Sequence, residues 1–351
     1  MLVDDESDIQ RSALKWFNIR YADIMKKHVG RWMVDAVKHN VQEITIQICK
    51  DHSAYKIPHI LNCKSLRKLS MQLYGAVGYA DIILPSSMSL PQLKVLIRRG
   101  LSISNVESSK RLFSSCPSLE TLHIVDCDIQ TDNQRNFTVD ILSLKQFVYG
   151  CSCRRLLPQN GNMANIIKLC ARNLELFACR SFLAQDYSLN ICFPISEVIF
   201  QMFLKENEED ENAESYSYLY SEEKEVYAKR VMQFLEAFYK VENLSLSSGF
   251  LEVLSQDLDF LDCQPPRLCD LQTLTLGMWS TRGCLRAVIY LLKISPYITQ
   301  LFLESKEFNL PDVGDDWESG FSFPGILSRL MLVHFVEVDG CDAELKLLSF
   351  C

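Results

Sequence analysis

The chain has 351 residues, 48% of them hydrophobic, and a formal net charge of −8 at pH 7. An acidic balance of that size excludes a sequence-independent grip on nucleic acid, whose phosphates require a basic surface, and argues against an anionic membrane as partner. No run approaches the ~20 apolar residues of a membrane-spanning helix, and the opening Met-Leu-Val-Asp-Asp-Glu-Ser-Asp is acidic where a secretory leader is basic and then apolar; cytoplasm, nucleus or both is the expected location.

One apolar phrase, apolar-x-x-apolar-x-apolar, returns every 25 to 30 residues for most of the length. Its clear copies are Val41/Ile44/Ile46, Leu66/Leu69/Met71, Leu119/Leu122/Ile124, Val241/Leu244/Leu246, Leu271/Leu274/Leu276 and Ile298/Leu301/Leu303. Weaker copies start at Leu14, Leu93, Leu144, Leu174, Ile195 and Leu327. A period of that length marks leucine-rich repeats, each a short strand with a helical or irregular return. The expected fold is therefore α/β, an irregular leucine-rich-repeat solenoid of about eleven or twelve units. It is a curved parallel strand ladder with helical returns.

In chain order, residues 1–28 read as an N-terminal repeat or cap, with a strand over Leu14 to Ile19. Val29, Trp32, Met33, Ala36 and Val37 fall on one helical face, and the strand Val41 to Ile48 follows. A second helix, Val106 to Cys116, is stopped by Pro117 before the strand at Leu119. Between Ile195 and Val241 sits Glu206-Asn-Glu-Glu-Asp-Glu-Asn-Ala-Glu; its self-repulsion predicts a solvated acidic loop over 205–224. A helix resumes around Val226, Val231, Phe234, Leu235 and Phe238, and another over Leu285 to Ile294 is closed by Ser295-Pro296. The solenoid is expected over 29–320.

No catalytic grammar is visible: neither a nucleophile elbow nor a glycine-rich phosphate loop occurs. No cofactor or metal is expected, and the chain does not read as an enzyme. Cys151-Ser-Cys153 beside Arg154-Arg155 is the nearest approach to a reactive thiol pair and reads as loop thiols. His123 and Cys127 share a repeat, but the register sends His123 outward and Cys127 inward. Arg98-Arg99 reads as a solvated basic spot. The fourteen scattered cysteines suit buried free thiols in a reducing compartment, which leaves the sequons at Asn136 and Asn243 unused.

Strand side chains alternate, so the third, fifth and seventh positions of each phrase face the concave side and are candidates for binding a partner. These are Lys68, Ser70 and Gln72; Val95, Ile97 and Arg99; Thr121, His123 and Val125; and Gln300, Phe302 and Glu304. Glu43, Thr45, Gln47, Asn243, Ser245, Ser247, Thr273 and Thr275 hold equivalent places. Phe302 is either an exposed aromatic anchor or covered by a neighbouring loop.

Three segments resemble the plant F-box proteins that carry leucine-rich repeats and an FBD segment. They are Val29-Gly-Arg-Trp-Met-Val-Asp-Ala-Val-Lys-His-Asn-Val-Gln-Glu-Ile, Leu112-Phe-Ser-Ser-Cys-Pro-Ser-Leu-Glu-Thr-Leu, and a tail running from Ile326-Leu-Ser-Arg-Leu to Val336-Glu-Val-Asp-Gly-Cys-Asp-Ala-Glu-Leu-Lys-Leu-Leu-Ser-Phe. The tail resembles the start of an FBD segment, shortened here to 321–351. The resemblance implies a protein-recognition module, the substrate-binding arm of a plant cullin-type ubiquitin ligase. Its partner is then a protein substrate of unknown identity. Nothing before Val29 resembles the family's F-box, which weighs against the Skp-type adaptor as a partner. The alternative is a truncated non-productive paralogue, or a scaffold unrelated to ubiquitination.

Overall fold

A computed structural model of the chain describes residues 16–21, 26–49, 55–56, 62–74, 80–102, 106–127, 136–150, 166–181, 186–191, 194–202, 220–256, 266–278, 281–305 and 329–337. The phrase copies become strands of one parallel sheet. In chain order the first half runs β1 (Trp16–Tyr21), α1 (Lys26–Lys38), β2 (Glu43–Cys49), β3 (Tyr55–Lys56), β4 (Lys68–Tyr74), β5 (Ala80–Ile83), β6 (Val95–Arg99), β7 (Leu101–Ser102), α2 (Val106–Ser114), β8 (Thr121–Val125), β9 (Asn136–Asp140) and β10 (Gln146–Gly150). The second half runs β11 (Ile166–Cys170), β12 (Leu176–Ser181), β13 (Asp186–Asn190), β14 (Ile195–Met202), α3 (Ser221–Ala237), β15 (Val241–Leu246), α4 (Ser248–Gln256), β16 (Thr273–Met278), α5 (Thr281–Ile294), β17 (Gln300–Ser305) and β18 (Leu332–Val336). The main sheet has twelve strands in the order β1-β2-β4-β6-β8-β10-β12-β14-β15-β16-β17-β18.

The ladder is in register because every phrase buries the same positions. The second apolar position runs from Ile44 through Leu69, Leu96, Leu122, Phe147, Phe177, Val198, Leu244 and Leu274 to Leu301, and none of these is more than 2% exposed. A one-residue slip would turn that whole row to solvent, so burial fixes the register. Backbone bonds fix it as well. The carbonyl of Arg67 accepts from the N–H groups of Lys94 and Val95, that of Lys94 from Glu120 and Thr121, and that of Glu120 from Lys145 and Gln146.

Behind the ladder the returns differ along the chain. The first is helical, as expected for residues 29–37, and so is that after β7. Between β8 and β14 the returns are strands, β9, β11 and β13, which form a second, three-stranded parallel sheet. The reason is local: Asn136-Phe-Thr-Val-Asp and Ile166-Ile-Lys-Leu-Cys alternate with period two, and Phe137, Val139, Ile167 and Leu169 point into the core. From α3 onward the backing is helical again. Helix α4 was not foreseen from its sequence; its Phe250, Leu251, Val253 and Leu254 are all buried.

Two sequence expectations shift. The acidic loop expected over 205–224 ends earlier, because α3 starts at Ser221 and places Glu222 and Glu223 in its first turn. Carboxylates that repel one another in a loop are favourable at a helix N-terminus, and Glu223 accepts a bond from the Tyr220 N–H at 3.0 Å. The Glu206–Glu214 stretch itself lies outside the described residues, as do Cys151 to Arg155. The last phrase starts at Leu330 rather than Leu327: Val333 and Phe335 pair with Leu301 and Leu303, and Leu332 is 45% exposed.

Candidate functional site

The concave side carries three parallel rows of side chains, one from each outward position of the strands. The first row passes through Lys68, Val95, Thr121, Gln146, Leu176, Glu197 and Asn243 to Gln300. The second passes through Ser70, Ile97, His123, Val148, Ala178, Ile199, Ser245 and Thr275 to Phe302. The third, at the C-terminal rim of the strands, includes Gln72, Arg99, Val125, Gly150, Arg180, Gln201 and Glu304. The expected residues therefore share one face, with β10, β12, β14, β15 and β16 standing between the first nine and Gln300, Phe302 and Glu304.

Their exposure is unequal. Ser70 is only 2% exposed and accepts a bond from the Gln72 amide at 2.9 Å, so it offers little surface to a partner. Lys68 stands 4.0 Å from Glu43, and both are about half exposed. Phe302 is half-buried, and the His334 ring meets it side-on at 5.7 Å. Val95, Ile97, Thr121, His123, Val125 and Gln300 are half-buried, while Arg99 and Glu304 are exposed.

Arg98 does not join Arg99 in solvent. The register puts it in an inward row between Met71 and Ile124, only 4% exposed, and burial lowers the guanidinium's pKa. The dipeptide thus splits across the sheet, because neighbouring strand residues face opposite sides. Arg99 remains on the rim, its Nε 3.8 Å from the Asp126 carboxylate. Before the strands, Glu120 lies 2.7 Å from Lys94 and 3.8 Å from Lys145, and the Lys94 hydrogen bond holds its carboxyl below the usual range.

His123 sits in the second row between Ile97 and Val148, and desolvation lowers its pKa. Below its unfolded value near 6.5 the unfolded chain binds more protons than the folded one, so stability is complete above that pH and falls as pH drops through the lowered folded value. His123→Leu is expected to flatten that part of the profile, read as urea unfolding midpoints between pH 7.5 and pH 5. An unchanged slope would show that other groups control it. Cys127 is half-buried, with its Sγ 3.3 Å from the Val125 carbonyl and 3.4 Å from that of Arg98. Among the described residues no three His, Cys, Asp or Glu side chains converge as metal ligands.

The thiols follow the same logic of burial. Desolvation pushes Cys116 and Cys179 up to about 12, whereas Cys269 is exposed. The thiolate is the reactive form. Iodoacetamide at pH 7.5 is therefore expected to alkylate Cys269 in the native chain while Cys116 and Cys179 react only after unfolding, as followed by peptide mass spectrometry. Equal rates would contradict their burial.

All nine face positions of β10, β12 and β14 escaped the sequence reading, among them the four aliphatic residues Val148, Leu176, Ala178 and Ile199. Their signal was available. They occupy the same outward positions in the weaker phrases that start at Leu144, Leu174 and Ile195. With Val95, Ile97 and Val125 the four aliphatic residues form a half-exposed aliphatic field from β6 to β14. On one side lie Thr45 and Ser70, on the other Ser245 and Thr275. Toward the C-terminal rim, Gln201, Ser245, Ser247, Thr275, Gly277 and Glu304 border an open polar cavity of about 270 Å³. An apolar centre inside a polar margin is the anatomy of a protein-binding surface.

Residues 29–185 match the family model of the leucine-rich repeats of FBD-associated F-box protein At5g56370. The FBD-associated F-box protein At1g66310 of Arabidopsis thaliana is 26% identical over 263 residues, covering 72% of this chain and 51% of that protein. The FBD-associated F-box protein At5g38590 of the same plant is 30% identical over 128 residues, 36% of this chain and 30% of that protein. The F-box/LRR-repeat protein At1g06630, also from Arabidopsis thaliana, is 32% identical over 117 residues, 33% of this chain and 28% of that protein. The chain thus spans about half or less of the length of these relatives. No solved structure shows significant similarity to it.

Proposed function

We propose that this chain, which belongs to the plant family of F-box proteins with leucine-rich repeats and FBD segments, is a protein-recognition arm whose concave face takes the partner. The arm serves a cullin-type ubiquitin ligase by holding the protein to be modified, and it performs no chemistry itself. The observation that carries the reading is the face itself: three side-chain rows on one continuous ladder, aliphatic at the centre and polar at both ends. A repeat array of this kind presents its strands as an extended concave binding surface. The names of the relatives support the ligase context, since each is an F-box protein and one of them joins the F-box to leucine-rich repeats.

Affinity purification of the chain from plant cells tests both parts. The expected result is a retained protein whose recovery falls about tenfold when Ile97 and Val148 are changed together to Asp, a loss typical of two central interface residues. Change of the exposed Lys110 on α2 should leave recovery unaltered. Recovery of a Skp-type adaptor and a cullin supports the ligase role. Their absence beside a retained partner would remove that role and leave a recognition arm or scaffold. A partner indifferent to the concave face would overturn the reading.

A further inference from the structure

We propose that the aliphatic field is the seat of one short peptide segment, with aliphatic side chains set on Ile97, Val148, Ala178 and Ile199 and carboxylates directed to the rim arginines Arg99 and Arg180. This rests on the recognition reading above and names the chemistry of what is recognised.

Size argues for a segment. The field crosses five neighbouring strands, β6, β8, β10, β12 and β14. Four gaps of about 4.8 Å make it about 19 Å long, the reach of about six extended residues. Three rows, about 7 Å apart along each strand, make it about 14 Å deep. Those dimensions enclose about 270 Å², well short of the ~800 Å² per partner that a stable dimer needs. A second copy of the chain is therefore a poor occupant, and a short segment is a good one.

Continuity and polarity narrow the chemistry. Ile97, His123, Val148, Ala178 and Ile199 are successive partners in one row. Burial disfavours the charged form of His123, which keeps the row uncharged at neutral pH. Polar side chains stop the field at both ends, so its reach along the ladder is defined. Across the strands the two rims differ. The N-terminal rim carries the neutral Thr121 and Gln146 beside the field, with Glu197 at its end. The C-terminal rim carries Arg99 and Arg180 on either side of Val125 and Gly150, both exposed. Asp126 faces Arg99 at 3.8 Å, and the outward row itself, Arg99, Val125, Gly150, Arg180 and Gln201, holds two arginines and no carboxylate. Arginine at the edge of an apolar seat selects carboxylates through charge-assisted bonds.

The test is a library of random dodecapeptides displayed on phage and panned against the full chain, with the recovered peptides resynthesised and titrated. The expected peptides combine two or more aliphatic residues with Asp or Glu. Val148→Lys is expected to weaken them by about tenfold or more, since it puts a charge at the centre of the field. Arg180→Glu is expected to exchange their acidic residues for Lys or Arg on repeated panning. Thermal unfolding checks that each variant is folded, and Ile199→Lys replaces Val148→Lys if that variant is not. Recovery of basic or purely aromatic peptides, of peptides indifferent to both variants, or of none above background would overturn the seat. None of those results touches the recognition reading, which stands or falls on the retained protein partner.

Discussion

Phe234→Ala is expected to destabilise the chain by about 3 to 5 kcal/mol, the range for emptying a fully buried aromatic site. Phe234 lies in α3 and is 0% exposed. Its ring centroid is 4.6 Å from Phe200, 4.7 Å from Phe238 and 5.4 Å from both Phe250 and Tyr187. Those partners come from β14, the C-cap of α3, α4 and β13. Phe234 is thus the meeting point of the second sheet, the main ladder and the helices that back its later strands. Removing it opens a cavity exactly where no single repeat can relax alone, since neighbours in a solenoid stabilise one another through their shared faces. Several of the contacts are tilted or edge-on, the preferred aromatic geometries. Phe234→Leu keeps most of the volume and is expected to cost much less, about 1 to 2 kcal/mol. Urea unfolding followed by far-ultraviolet circular dichroism measures both. A loss below about 1 kcal/mol for the alanine variant would mean that the seam is not a cooperative core.

What the sequence made legible was whatever repeats. The phrase states which side chains go inward, and the strand period then states which go outward, so Lys68, Val95, Thr121 and Gln300 were found in a single row across the ladder. Where a phrase weakened, the reading weakened with it. Arg98 holds an inward position normally filled by an aliphatic residue, so its charge made it look like surface. Val148, Ala178 and Ile199 are the outward residues of phrases whose inward positions hold aromatics or cysteine, which weakens the phrase although the spacing is the same. The strand returns β9, β11 and β13 are short, five residues each. Two turns of alternation are a faint signal beside a helix of three or four turns. Helix α4 hid for the opposite reason: its run of apolar residues is buried nearly all round, which blurs the one-sided pattern of a surface helix. The acidic end of the loop misled because the same carboxylates serve a coil and a helix N-terminus equally well.

Two glycines of the C-terminal rim row should respond in opposite ways to the same change. Gly150 ends β10, between Val125 of β8 and Arg180 of β12. A Cβ placed on it would lie 2.3 Å from the Arg180 carbonyl oxygen and 2.9 Å from that residue's carbonyl carbon and nitrogen. All three atoms are backbone, so no rotamer change relieves the clash, and β10 must part from β12. Gly150→Ala is therefore expected to cost about 3 kcal/mol or more, at the upper end of overpacking penalties. Gly277 ends no strand and meets nothing nearer than 3.8 Å, the carbonyl oxygen of Leu246. Gly277→Ala is expected to stay within about 0.5 kcal/mol, or to stabilise slightly by restricting the unfolded chain. The Gly150 change should also reach function. Parting β10 from β12 separates Val148 from Ala178 at the centre of the aliphatic field, so any partner seated there should bind more weakly even below the melting temperature. The pair is measured by unfolding midpoints and by titration with a partner recovered on the native chain. Equal, small effects at both glycines would show that the β10–β12 approach is looser than 2.3 Å implies, and the continuity of the field across those strands would fall with it.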